Sequence, residues 1–136
     1  MSPKLFNIGA KAIIVQDGKV LLLKKETQDR TFWDAPGGRL GDGESVDEAL
    51  RREVSEELPS ATNIVIKGLL SAYVLDRDIS PDTGLMLLFH SVDASFSGEL
   101  KISDEHTEYR WLPIDEAKLV ASEGIIAALD KIEHDQ

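Results

Sequence analysis

Glu53, Glu56 and Glu57 stand within five residues of one another, in a segment whose apolar spacing predicts a helix over Ser45–Leu58. On a wheel of about 100° per residue with Glu53 at zero, Val46 falls at about 20°, Leu50 at about 60° and Val54 at about 100°. Leu58 follows at about 140°, and Ala49 closes the arc at about 320°. Glu57, at about 40°, therefore shares the apolar arc with Glu53, one turn away. Glu56 lies at its edge. A solvated face accounts for Glu48 and partly for Glu56, but not for two carboxylates inside the stripe that should meet the core. Two such charges about 4 Å apart repel by about 4 kcal/mol at an effective dielectric of 20. They need a partner. Arg51 and Arg52 point elsewhere on the wheel, so a divalent cation is the preferred partner and a structural ion-pair cluster the competing one. Oxygen ligands without Cys or His suit a hard ion such as Mg²⁺ or Mn²⁺.

The elements around this helix follow from punctuation in the chain. Ser45 and Glu48 form the S-x-x-E capping box that starts it, and Pro59 stops it. Pro36-Gly37-Gly38 ends a short strand over Thr31–Ala35 and lets backbone approach whatever the helix holds. Gly41 and Gly43 keep the next segment a loop. Asp17-Gly18, between apolar Ala12–Val15 and Val20–Leu23, predicts a hairpin. Strands are expected over Ile64–Leu75 and Leu85–Val92, joined by turn residues 80–84, and over Tyr109–Leu112. Asp115 to about Ile132 reads as helix, with Gly124 as its expected breakpoint. Strands, helix, strands, helix predict an α/β fold with a mixed sheet between helices rather than a doubly wound parallel sheet.

Together these residues resemble the signature of the Nudix hydrolase family, G-x5-E-x7-R-E-U-x-E-E-x-G-U, where U is bulky and aliphatic. Gly38, Glu44, Arg52, Glu53, Val54, Glu56 and Glu57 match at the required spacing. Phe32 to Gly38 resembles the family's W-x-x-P-G-G lead-in, and Glu108 to Pro113 its C-terminal strand. Pro59 and Ser60 replace the closing glycine and aliphatic residue. Proline cannot adopt the positive φ that glycine takes at a helix end, so the chain must leave the helix by another route.

The resemblance implies an α/β/α sandwich and hydrolysis of a nucleoside diphosphate linked to a further moiety, including nucleoside triphosphates and oxidised ones. ADP-ribose or a nucleotide sugar is the alternative substrate, and a non-catalytic nucleotide-binding module the alternative role. An isomerase of the same fold uses a catalytic cysteine, which this chain lacks. By resemblance Glu53, Glu56 and Glu57, with the Gly38 carbonyl, hold Mg²⁺ or Mn²⁺. Arg52 orients a glutamate, and Glu44 supports the loop or the metal shell. The general base is a signature glutamate or one from a later loop, where Glu105 is the candidate. Glu108 reads as an ordinary exposed acid. His106 reads as an exposed loop histidine, with substrate contact as its alternative. Phe32, Trp33 and Arg39 are the candidate substrate contacts, with one of the two aromatic rings facing the core. Lys24, Lys25 and Arg30 either meet phosphate or form a solvated strand end. Tyr109 and Trp111 read as packing residues, as do Tyr73 and Phe89, with a base platform as the alternative for the last two.

Composition limits the partners. The 136 residues carry 25 acidic and 15 basic side chains, a formal net charge of −10. Such a balance argues against a nucleic-acid polymer, whose affinity comes from neutralised phosphates, and against an anionic membrane surface. It leaves a small anionic substrate met through a cation. Length predicts a single domain over 1–136. The absence of cysteine suits a reducing cytoplasm. Neither a signal segment nor an apolar run of about 18 residues is found. A homodimer is consistent with the family resemblance.

Overall fold

The computed structural model describes residues 3–135. Its elements are β1 (Leu5–Ile13), β2 (Val15–Gln16), β3 (Lys19–Glu26), β4 (Thr31–Asp34), β5 (Gly37–Arg39), α1 (Val46–Glu57), β6 (Ala61–Leu75), β7 (Thr83–Phe96), β8 (Glu108–Pro113), α2 (Ile114–Val120) and α3 (Glu123–His134). One sheet runs β5-β1-β7-β6 and is mixed, because β1 and β7 pair in parallel while β5 and β6 are antiparallel to them. The other runs β2-β3-β4, with β8 also on β3.

The layering follows from side-chain alternation. Val20, Leu21, Leu22 and Leu23 are all fully buried. Leu21 and Leu23 pack with Ala12, Leu50, Val54 and Leu58 on the α1 side. Val20 and Leu22 pack with Phe89, Ile125 and Leu129 on the α3 side. A continuous apolar run is what a strand covered on both faces requires. The result is the α/β/α sandwich around a mixed sheet that the sequence predicts.

The Asp17-Gly18 hairpin joins β2 to β3, and both turn residues take positive φ, 52° and 75°. The segment expected as one strand over Ala12–Val15 is divided: Ala12 and Ile13 finish β1, and Val15 begins β2 in the other sheet.

Two expectations are corrected. Gly37 and Gly38 do more than end a strand: with Arg39 they form β5, paired to β1 through Lys11↔Gly37, Ala10↔Gly38 and Gly9↔Arg39. Glycine signals mask this pairing, whose partner lies far off in sequence. The C-terminal helix is two helices, broken at Ala121–Ser122 rather than at Gly124. Ser122 sits extended as the N-cap of α3 (φ −71°, ψ 164°). Gly124 lies inside α3, where a Cβ would stand 2.5 Å from the Phe89 ring. It serves close helix–strand packing.

Candidate active site

Helix α1 carries the site. Ser45 Oγ accepts from the Glu48 amide (3.1 Å) and the Glu48 carboxylate accepts from the Ser45 amide (3.0 Å), completing the capping box. At the other end Leu58 takes φ −125°. The Ala61 amide donates to the Leu58 carbonyl at 2.9 Å. Pro59 thus occupies the second position of a turn that suits its fixed φ. This is the alternative exit that the missing glycine demands, and it requires no positive φ.

Glu57 is 2% exposed. Its Oε2 accepts from the Gly37 amide at 2.8 Å, and its Oε1 lies 3.4 Å from His106 Nε2. Burial pushes its pKa up to about 8, assisted by the negative charges of Glu53 and Glu105 and opposed by the Gly37 amide and Lys11. Gly37 is fixed in this role: its φ is 141°, and a Cβ would stand 2.1 Å from the Ala10 carbonyl oxygen. A Cβ on Gly38 would meet the Glu53 carboxylate at 2.5 Å, so the backbone of β5 and this carboxylate are in direct apposition.

Arg52 departs from its expected outward course. Its guanidinium turns back across the helix: Nε and Nη2 donate to the Glu44 carboxylate (2.7 and 2.9 Å), and Nη1 donates to Glu53 (3.0 Å) and reaches Glu56 (3.4 Å). Nη2 also donates to the Arg39 carbonyl at 3.2 Å. A wheel gives the direction of Cβ, whereas the long flexible stem lets an arginine tip leave that direction. The Glu44 carboxyl is held down to about 2, chiefly by Arg52 and then by the Gly41 amide, and the Arg52 pKa is raised by its contacts with Glu44 and Glu53.

His106 is also corrected, being buried rather than exposed (7%). The Ser103 amide donates to the Glu57 carbonyl (3.0 Å), the His106 amide to the Ser103 carbonyl (3.3 Å) and the Thr107 amide to the Lys24 carbonyl (3.0 Å). The turn is thereby pinned between the end of α1 and β3, a long-range fact that local sequence does not carry. Burial, then the positive charge of Lys25, lowers the His106 pKa.

The expected glutamate triad is only partly assembled. Among the described residues, the potential ligand atoms lying within 4.8 Å of one another are those of Glu57, Glu105 and His106. Glu53 and Glu56 instead face Arg52. Glu53 and Glu105 line a cleft of about 460 Å³ together with Gly38, Lys11, Lys25, Arg39 and Phe32. Trp33, the next residue on β4, takes the opposite face, packing on the α3-side core under Arg110. Phe32 is thus the cleft's aromatic wall, with Arg30 over its ring at 4.3 Å. Arg39 is bound by the Asp78 carboxylate, which also accepts from Asn7 at 2.7 Å. Asp78 is held down to about 2 by Arg39 first and Asn7 second. Lys24 and Glu108 lie 3.8 Å apart, and Glu108 accepts from Arg110 at 2.7 Å. Phe89 is core, and Tyr73 packs beside it with its hydroxyl donating to Glu123 at 2.8 Å.

The chemistry of the donors fits a divalent cation. A buried carboxylate, an exposed one and an imidazole converge, and more oxygen ligands stand one helical turn away. The NUDIX domain model matches residues 6–130. The chain is 31% identical over 105 residues to the uncharacterized Nudix hydrolase YvcI of Bacillus subtilis, a match covering 76% of this chain and 64% of that one. It is 30% identical over 113 residues to the nucleoside triphosphatase NudI of Escherichia coli, covering 74% of this chain and 77% of NudI. A crystal structure of a MutT Nudix hydrolase from Burkholderia pseudomallei superposes with a TM-score of 0.74 at 26% identity, over 95% of this chain and 99% of that one. With the signature helix, the glycine strand beside it and the sandwich around them, the chain belongs to the Nudix family. Among the described residues no helix is long and apolar enough to cross a membrane.

Proposed function

We propose that this chain is a divalent-cation-dependent pyrophosphohydrolase that cleaves the diphosphate linkage of nucleoside diphosphate-X compounds, with nucleoside triphosphates as the first substrates to test. The observation that carries the reading is the buried Glu57 carboxylate, fixed by the Gly37 amide. It lies beside a cleft that holds three more carboxylates (Asp34, Glu53 and Glu105), three cationic side chains and one aromatic ring, with Asp34 paired to Lys11 at 2.8 Å. The 30% identity to a protein named nucleoside triphosphatase supports the choice of triphosphates.

In this reading Glu53, Glu56, Glu57 and the Gly38 carbonyl hold Mg²⁺ or Mn²⁺. The cation supplies charge neutralisation of the diphosphate and acidification of the attacking water. Arg52 positions Glu53 and Glu56, anchored in turn by Glu44. Glu105, exposed on its turn and lining the cleft, is the residue we assign to take a proton from water. Phe32 offers a face for base stacking. Lys11, Lys25 and Arg39 are the groups that counter phosphate charge in a molecule of net charge −10.

The test is product release from a panel of nucleoside triphosphates, oxidised dGTP, ADP-ribose and nucleotide sugars, with Mg²⁺ or Mn²⁺ and then with EDTA. Cleavage of one class that EDTA abolishes is the expected result. Cleavage unaffected by EDTA overturns the cation role. No cleavage of any member, with cation bound, points to the non-catalytic nucleotide-binding role.

A further inference from the structure

We propose that His106 is a nitrogen ligand of the cation in this cleft, binding through Nε2 alongside the Glu57 carboxylate and one oxygen of the Glu105 carboxylate, whose other oxygen keeps the proton-accepting role given above. The inference rests on the cation-dependent reading above and adds a ligand that the signature does not contain. Three observations carry it. First, the turn bearing Glu105 and His106 is anchored by the Ser103 amide on the last carbonyl of α1, so its side chains are delivered to Glu57 by backbone geometry. Second, the three potential ligand atoms lie within 4.8 Å of one another. Two ligands on one ion with bonds of ~2.1 Å stand at most ~4.2 Å apart, so a shift of under about 1 Å closes the set. Third, the imidazole is 4% exposed, and its Nδ1 has no hydrogen-bond partner. Its Nε2 faces Glu57 at 3.4 Å, beyond the ~2.7–3.2 Å of an ordinary N–H···O bond. Buried polar groups are normally satisfied, and an almost fully buried imidazole whose Nε2 faces a carboxylate beyond hydrogen-bond reach has room there for a further group.

A nitrogen donor changes the selectivity of the site. Carboxylate and carbonyl oxygens serve Mg²⁺, whereas imidazole favours transition ions. The mixed set therefore binds Mn²⁺ in preference to Mg²⁺.

Mn²⁺ alone, added to the full chain, is the probe. Electron paramagnetic resonance counts bound Mn²⁺, and electron spin-echo modulation detects a ligating nitrogen. Labelling with [15N]histidine changes that modulation only if the nitrogen belongs to one of the three histidines. The expected result is a nitrogen coupling that shifts on labelling, persists in His90→Gln and His134→Gln and is lost in His106→Gln. Bound Mn²⁺ without histidine coupling, in the labelled unsubstituted chain, overturns the proposal and leaves the cation-dependent reading intact. Absence of bound Mn²⁺ overturns both. The labelled unsubstituted chain decides the matter even where His106→Gln does not fold.

Discussion

At the scale of residues the site divides into one buried carboxylate and one arginine hub. Glu57→Gln keeps the Gly37 contact through the amide oxygen and removes the negative charge. Turnover should fall at least ~100-fold, since a group central to charge stabilisation is worth that much, while the melting temperature holds or rises. Steady-state kinetics beside a thermal melt checks both halves. Arg52→Lys is not conservative, because a single ammonium cannot reproduce the two-pronged contact with Glu44 and still reach Glu53 and Glu56. It should lower kcat more than it raises KM, with the melt almost unmoved given the hub's partial exposure. A KM-dominated loss would place Arg52 in substrate binding instead.

At the scale of elements, β5 and α1 must approach closely, and two adjacent glycines permit this for different reasons. Gly37→Ala places Cβ against the β1 backbone at a φ that L-residues avoid; stability should fall by several kcal/mol in a denaturant titration. At Gly38→Ala the nearest atoms to the new Cβ belong to the movable Glu53 carboxylate, so the fold should survive and activity should not. Pro59→Gly restores the signature residue at a turn that has no need of it. Turnover should stay within about twofold and stability should drop by ~0.5–1 kcal/mol through the looser unfolded chain. The helix, its cap and the inward course of Glu57 are legible in sequence, because each is decided by neighbours within one or two turns. The β5 pairing, the reach of Arg52 and the burial of His106 are not. A strand of three residues, two of them glycine, has no periodicity. An arginine tip is not confined to the direction of its Cβ. The burial of His106 depends on a turn tied to the far-upstream residues Glu57 and Lys24. The break before α3 is masked because glycine reads as a helix breaker where packing against Phe89 requires it.

At the scale of the molecule, stability without cation should carry two pH dependences of opposite sign. Glu57 binds its proton more tightly folded than unfolded, so its contribution is full below about 4.5 and is lost as pH rises toward about 8. Each tenfold difference in proton affinity between the folded and unfolded chain is worth about 1.4 kcal/mol. Glu44 and Asp78 act in reverse: their contribution is present above their ordinary pKa values and disappears as pH falls toward about 2. Melts of EDTA-treated protein across acid to mildly alkaline pH should therefore peak near the ordinary carboxylate range, and the alkaline slope should be reduced in Glu57→Gln. A cation that binds the ionised carboxylate should flatten the same slope.

The two apolar layers share β3, whose residues Val20–Leu23 alternate between them with no solvent-facing side. Neither α1 nor α3 can detach without exposing a wall that the other still needs. Local opening is then costly everywhere along this strand. The backbone amides of Leu21–Leu23 should exchange with deuterium only through complete unfolding, as slowly as any in the chain. Heat capacity should show one transition in which the signature helix and the C-terminal helix are lost together.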